Sequence, residues 1–556
     1  MTCDTTISRG IVMTRNELLL ALGAAGLAAC ADNLSQAGGP NPQSVSVLTQ
    51  HNDNTRSGWN DHETALTTSN VNQQRFGKVL SLPVDDQLFT QPLVVGHVHI
   101  KGGDHNVVYA ATVNNTLYAY DGDNGTLYWS RNYTAPAMRP PRNTDMTGAC
   151  NGGYTDFSGN IGIVGTPVID ATRQAIYFVA RSTDSATFVQ HLHAVSIVDG
   201  SELSGSPVQI SATVPGNGDG NVNNVLSFDA QRQNQRQALT LLNGVVYVTW
   251  SSHCDWGPYH GWILGYDALS LQQHVVYNVT PNGYAGGMWE SGTGMAADAG
   301  GNLYEVVGNG SVGDSADPTS LTNRSESALK LTPSGSTLQV ATYFTPYDFQ
   351  FLNDNDLDYG SAGALLIPGS SYLFTAAKDG TLYLLDKDNM GGYQPGANQV
   401  QQVIQLTSGE MHFHPAYYKG SAKEFVYLWP ENAPLYAIPF DRGSSQLDRQ
   451  SEVVMTDGGP TGHSGAVLSV SSNGATDGSG ILWASYAVSG DAEHDVSQGV
   501  LRAFDANDVT RQLWSSLQNP ARDGAGNYAK FASPTIANGR VYLPTFSNQV
   551  AVYGLQ

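Results

Sequence analysis

The chain has 556 residues, only 13% of them charged, with 61 glycines. That mix suits short strands joined by many turns and argues against a helical protein. With 48 acidic against 26 basic residues the formal net charge is -22, a surface that repels phosphate backbones and excludes nucleic acid as a partner.

The first element is a leader. Arg15 precedes an apolar run from Leu18 to Ala29, too short to span a bilayer. The run closes on Leu27-Ala28-Ala29-Cys30, an order that resembles a bacterial lipobox. Residues 1–30 are therefore expected to be a lipoprotein signal peptide, with Cys30 the lipidated first residue of the mature chain and Met13 a second candidate start. The alternative is an ordinary secretory signal with an incidental Cys30. Residues 31–44 are polar, contain Gly and Pro, and read as a flexible tether; residues 45–556 read as a single domain. The expected location is the cell envelope, on the periplasmic or outer-membrane face, with the membrane touched through the lipid anchor only. Cys150 and Cys254 remain outside the leader, an even pair in an oxidising compartment and so candidates for a disulfide. No Cys-x-x-Cys-His occurs for covalent haem, and no Cys/His set has zinc-site spacing.

Past the tether the sequence repeats itself. Each unit carries an apolar, β-branched or aromatic strand, then a second strand ending in a turn rich in Asp and Gly. The clearest copy is Val108 to Trp129, VYAATVNNTLYAYDGDNGTLYW. Aligning the units places Tyr109, Tyr177, Tyr247, Tyr304, Phe374, Tyr427, Trp483 and Tyr542 at one equivalent position, spaced 53 to 70 residues apart. Alternation such as Tyr118-Ala119-Tyr120-Asp121 marks strands rather than helices. Eight such units predict an all-β, eight-bladed β-propeller of four-stranded antiparallel blades, with seven blades as the alternative. The segment near Val45 to Pro83 is expected to lie beside the last blade and close the ring.

AYDGDNGTLYW (Ala119 to Trp129) resembles the blade motif of pyrroloquinoline quinone (PQQ) dehydrogenases, with AFDANDVTRQLW (Ala503 to Trp514) a weaker copy and GYDALSL at Gly265 and LLDKDNMGG at Leu384 partial ones. The motif implies an inward-packed Ala, an Asp capping the turn, a Gly in a tight bend and a Trp docked on the next blade. Further segments resemble quinoprotein alcohol dehydrogenases in the expected order. GGMWESGTGMAADAGGNLYEVVGNGS (Gly286 to Ser311) assigns Trp289 as the platform under the quinone and Asn309 as a Ca2+ ligand. HCDWGPYHGWILGYD (His253 to Asp267) places Asp255 where the family carries a Glu ligand. FTPYDFQFLNDNDLDYG (Phe344 to Gly360) makes Asp358 the catalytic base and a third ligand, and AAKDGTLYLLD (Ala376 to Asp386) puts Lys378 at the quinone oxygens. Flat aromatic platforms and hard oxygen donors suit these two cofactors. The resemblance implies oxidation of an alcohol or sugar by Ca2+-assisted hydride transfer to PQQ, with a separate electron acceptor. It departs at two places. Ala149-Cys150 stands where the family has adjacent Cys residues, and Ile161 stands where an Arg would bind a quinone carboxylate.

Other readings of the same residues stay open. One is a cofactor-free envelope propeller acting as a binding or scaffold module. Another is a polysaccharide hydrolase or lyase using the acidic loop. Asp354, Asp356 and Asp358 alternate, so in an extended chain they share one face. His191 with His193, and His412 with His414, would each share a strand face, and His260 sits in an aromatic loop.

Overall fold

Eight four-stranded antiparallel sheets follow one another along the chain in a computed structural model that describes residues 44–556. The leader, Cys30 and the tether up to residue 43 lie outside the described residues. The blades span 93–132, 168–209, 240–278, 296–344, 362–405, 416–455 and 467–515, and the eighth is made by 535–555. Its outer strand comes from the other end of the body: Phe76–Pro83 pairs antiparallel with Gln549–Leu555, Gly77 opposite Gly554. The ring is therefore an eight-bladed propeller, not a seven-bladed one, and it closes through the early segment expected to do so.

The repeated aromatic explains how blades hold one another. All eight aligned residues sit on the second strand of their blade and are buried. Tyr109 donates to the Ile197 carbonyl at 2.9 Å and Tyr177 to Ala268 at 2.7 Å. Tyr427 donates to Ala506, and Tyr542 donates to Gly122 across the ring closure at 3.2 Å. Each acceptor lies in the turn after the third strand of the next blade. A phenol buries a large apolar body and still satisfies its hydroxyl there. The Asp of the blade motif shapes the same turns. Asp121 Oδ1 accepts from the backbone N–H of Asp123 and Asn124 at 2.9 and 3.0 Å, Gly125 takes φ +78°, and Trp129 Nε1 reaches Ile197 O at 3.2 Å.

Residues 47–60 form a strap that visits every blade in turn at its innermost strand. Val47 pairs with Val94, Leu48 accepts from Ile169 N, the Asn54 side chain donates to Leu241 O, and Asn54 O accepts from Ala297 N. Thr55, Ser57 and Gly58 carbonyls then accept from Leu366, Tyr417 and Val470, and the Asn60 side chain donates to Ile536 O. Arg56 anchors this belt. It is fully buried and donates to Gly294 O and Met295 O at 3.1 Å, Thr49 Oγ1 and Gln50 O at 2.8 Å, and Thr240 Oγ1 at 2.6 Å. Burial pulls its guanidinium down to about 10, with Asp53, Glu290 and Glu305 opposing the fall, so it stays charged at neutral pH. Arg56→Ala strands buried acceptors and opens a void; a loss of about 3–5 kcal/mol is expected, read as a lower urea midpoint.

Candidate functional site

In a four-stranded antiparallel blade, the crossover into the first strand and the hairpin between the second and third strands emerge on the same face. One cavity at the hub collects side chains from both sets of loops. It encloses about 1090 Å³, its open mouth included. The strap sets its depth. In seven blades the lining residue stands five positions before the strap contact: Phe89 before Val94, Val164 before Ile169, Arg236 before Leu241 and Gly292 before Ala297. Ser361, His412 and Phe531 stand likewise before Leu366, Tyr417 and Ile536, while blade 7 contributes His463.

Blades 3 to 5 supply an acidic wall. Asp255, Asp356, Asp358, Trp289 and Lys378 all line the cavity. Asn309 sits against them: its N–H donates to Asp358 Oδ1 and its Nδ2 to Asp356 Oδ1, both at 2.7 Å. Its Oδ1 is buried with no hydrogen-bond partner. Gly308 is required beside it, since a side chain there would collide with Asp358 Oδ1 and Trp289 Cδ1. Trp289 and Asp358 therefore meet at one point although far apart in sequence. Lys378 Nζ lies 3.1 Å from Asp356 Oδ2. Burial pushes the Asp358 carboxyl up, reinforced by Asp356 and countered by the Asn309 N–H and Lys378. Asp255, hemmed by protein although solvent in the cavity reaches it, is pushed up to about 7 by loss of hydration and by Asp358; Tyr259 Oη, donating at 2.5 Å, opposes this. Glu326, buried behind Asp358, is also pushed up, first by burial and then by Asp358, and its Oε1 has no partner. Carboxylates crowded this way are short of positive charge.

The cavity also holds cations that sequence reading missed. Arg236 lies over the Trp289 ring at 5.7 Å and the Phe531 ring at 4.4 Å, spanning the hub. Lys530 is buried, donates to the Glu493 carbonyl, and is pulled down to about 8 chiefly by burial. Neither carries a local motif. Their positions become visible only once the crossovers are aligned on the strap.

Cys150 and Cys254 are joined by a disulfide, Cα–Cα 5.4 Å, and both line the cavity. The link ties the 133–167 crossover to the hairpin that carries Asp255. Other expectations are corrected. The Asp354-Asp356-Asp358 alternation is not extended, because Phe349–Asp354 forms a short helix and Asp354 points to solvent beside Gln350. His412 and His414 precede their strand, which starts at Ala416, and they diverge: His412 lines the cavity, whereas His414 Nδ1 meets His51 Nδ1 at 3.0 Å in the hub. His191 and His193 do share a face of the strand Phe188–Ser196, their rings 6.2 Å apart, and His193 stacks on Phe178 and bonds Glu202 at 2.8 Å, within blade packing. His260 is pinned between Thr280 Oγ1 at 3.0 Å and Asp219 O at 2.8 Å, away from the cavity lining.

No family model matches the sequence, and no curated protein does. Solved structures do. The quinohemoprotein alcohol dehydrogenase of Pseudomonas putida superposes with a TM-score of 0.58 at 14% identity, covering 92% of this chain and 80% of that one. That of Comamonas testosteroni gives 0.54 at 13% identity with the same coverage. At such identity the likeness is one of fold: this chain is built on the eight-bladed propeller that quinoprotein alcohol dehydrogenases also use.

Proposed function

We propose that the protein is a quinoprotein-type oxidoreductase that oxidises the hydroxyl of a small alcohol or sugar in the hub cavity, with PQQ or a close analogue and a divalent cation such as Ca2+ bound there. The observation that carries this reading is the convergence of Trp289, Asn309, Asp358, Asp255 and Lys378, from three blades, on one cavity. The residues suit both groups. The orphaned Asn309 Oδ1 and the crowded Asp255 and Asp358 carboxylates are hard oxygen donors of the kind such a cation takes. Trp289 offers a flat face. The half-buried Arg236 and the buried Lys530 offer positive charge for quinone carboxylates, a role that Ile161 cannot fill.

When bound, the quinone supplies a two-electron acceptor. The chain's part is to bind, orient and move a proton. With a cation held by Asp255, Asn309 and Asp358, the Asp358 carboxylate would stay ionised at neutral pH and would accept the substrate hydroxyl proton. Lys378, paired with Asp356, sets the charge beside it. A separate electron acceptor, and anchoring in the cell envelope through Cys30, complete the proposal. A scaffold role is disfavoured because the residues converge rather than scatter, and a polysaccharide-cleaving role because an aromatic platform stands beside the carboxylates.

The test is binding. The mature chain is titrated with PQQ, with and without CaCl2, and followed by cofactor absorbance and tryptophan quenching, then assayed for dye-linked alcohol oxidation. Saturable binding that requires the cation is expected. No binding at micromolar quinone would remove the proposal.

A further inference from the structure

Beyond the acidic wall of blades 3 to 5, blades 6 and 7 bring together groups that the proposed reaction does not use. His412 Nδ1 lies 2.8 Å from Glu431 Oε1, and His463 Nδ1 lies 3.4 Å from the same oxygen. The two imidazole rings are 4.4 Å apart. One donor atom from each of the three residues falls within 4.8 Å of the other two. Ligands on a tetrahedral zinc ion stand about 3.3 Å from one another, given bond lengths near 2.0–2.1 Å, so this arrangement closes around an ion with small side-chain rotations. Further carboxylates back the cluster: Glu410 Oε2 is 3.7 Å from His412 Nε2, and Glu493 Oε2 is 3.6 Å from His463 Nδ1. Glu410 thus stands beside the His412 nitrogen that faces away from Glu431, where an outer carboxylate orients a metal-bound imidazole. Glu493 instead faces the same His463 nitrogen as Glu431 and adds negative charge there.

These donors come from separate segments. His412 and His463 stand on the crossovers into blades 6 and 7, and Glu431 and Glu493 on the second hairpins of those blades. Glu431 is buried, whereas both histidines line the cavity. An ion held here would have three protein ligands and one open position facing the space where a substrate sits, as catalytic rather than structural zinc sites do. The surrounding charges are mixed. Lys378, Lys530 and Arg236 stand close enough to His463 to repel a cation there. Glu431, Glu493 and Glu410 counter them.

We propose that His412, His463 and Glu431 form a site for one divalent transition-metal ion, of which zinc is the type, on the part of the cavity wall supplied by blades 6 and 7. Two imidazoles and a carboxylate select such an ion over calcium, which takes oxygen donors. The open position would take water or a substrate oxygen. This site is separate from the cation site proposed at Asp255, Asn309 and Asp358.

The untagged mature chain, stripped with chelator and free of quinone, is titrated with ZnCl2 by calorimetry, and with CoCl2 by visible absorption. One ion per chain is expected, with calcium failing to displace it. Glu431→Gln and His463→Ala should each weaken zinc binding at least about 100-fold, while Asp358→Asn leaves it unchanged. Circular dichroism and the metal-free thermal midpoint check that the variants fold; Glu431→Gln retains the shape of the side chain. Absence of stoichiometric binding, or binding that survives in the His412→Ala, His463→Ala double variant, overturns the assignment. Because no quinone is present, failure here leaves the oxidoreductase proposal standing, and failure of quinone binding leaves this one standing.

Discussion

Asp358→Asn should lower kcat/KM for dye-linked alcohol oxidation by about 10²–10⁴-fold, the contribution of a positioned general base, while making the cofactor-free chain more resistant to heat. Both effects follow from one placement. Asp358 is buried at 8% exposure beside Asp356, with Asp255 and Glu326 near it. Asn keeps the oxygen that accepts the Asn309 N–H but carries no charge. The sign of the pH dependence is fixed by the upward shift. A carboxyl whose folded value is raised binds its proton more tightly in the native state. It therefore costs stability at high pH, and the cost fades as pH falls through the raised value toward the ordinary one near 3.9. The gap in thermal midpoint between variant and parent should be widest near pH 8 and shrink on acidification. Calcium should stabilise the parent and not the variant. Undiminished turnover, or a variant less stable than the parent at pH 8, would contradict the assigned role.

The second large effect concerns recognition. The Arg236→Ala, Lys530→Met double variant should bind PQQ about 30- to 4000-fold more weakly, equivalent to 2–5 kcal/mol for stripping partners from a buried charged group. Lys530 adds a pH signature. Burial, helped by Arg236, pulls its ammonium down to about 8 against the pull of Asp156 and Glu493. Below that value the lysine already carries its proton and affinity should be flat. Above it, binding an anion must draw in a proton, and affinity should fall by up to tenfold per pH unit. In Lys530→Met the profile should lose this slope. Equal quinone affinity in parent and double variant would place the carboxylates elsewhere.

The fold was legible because its signals repeat eight times and each has a mechanism. The aromatic on the second strand and the Asp of the third-strand turn are latch and cap, and both act on the face away from the cavity. That is why recognising the blade said little about chemistry. Trp289, Asn309, Asp358 and Lys378 were found through segment resemblance. Arg236 and Lys530 were not, because each sits in a crossover without shared sequence and is placed by ring geometry. The alternation at Asp354 to Asp358 suggested a strand, but a single helical turn places Asp354 outside. Pro415 likewise stands between His412 and His414 and the strand that begins at Ala416, and the three partners of the proposed metal site are 19 to 51 residues apart. The strap itself carries no hydrophobic period. Its residues are chosen to meet eight different neighbours, so nothing in 47–60 repeats.

Because that belt and the outer strand of the last blade are both made early, the nascent chain cannot lock its ring until the final blade has been synthesised. Gly77 waits about 480 residues for Gly554, on the order of 25–95 s at a ribosome speed of ~5–20 residues per second. Until then each completed sheet presents an uncovered flank, and the central pore has no floor. Late assembly of this kind makes the whole body a single cooperative unit: a premature stop between residues 516 and 534 would leave seven finished sheets without a shut toroid, and so without a cavity in which to bind anything.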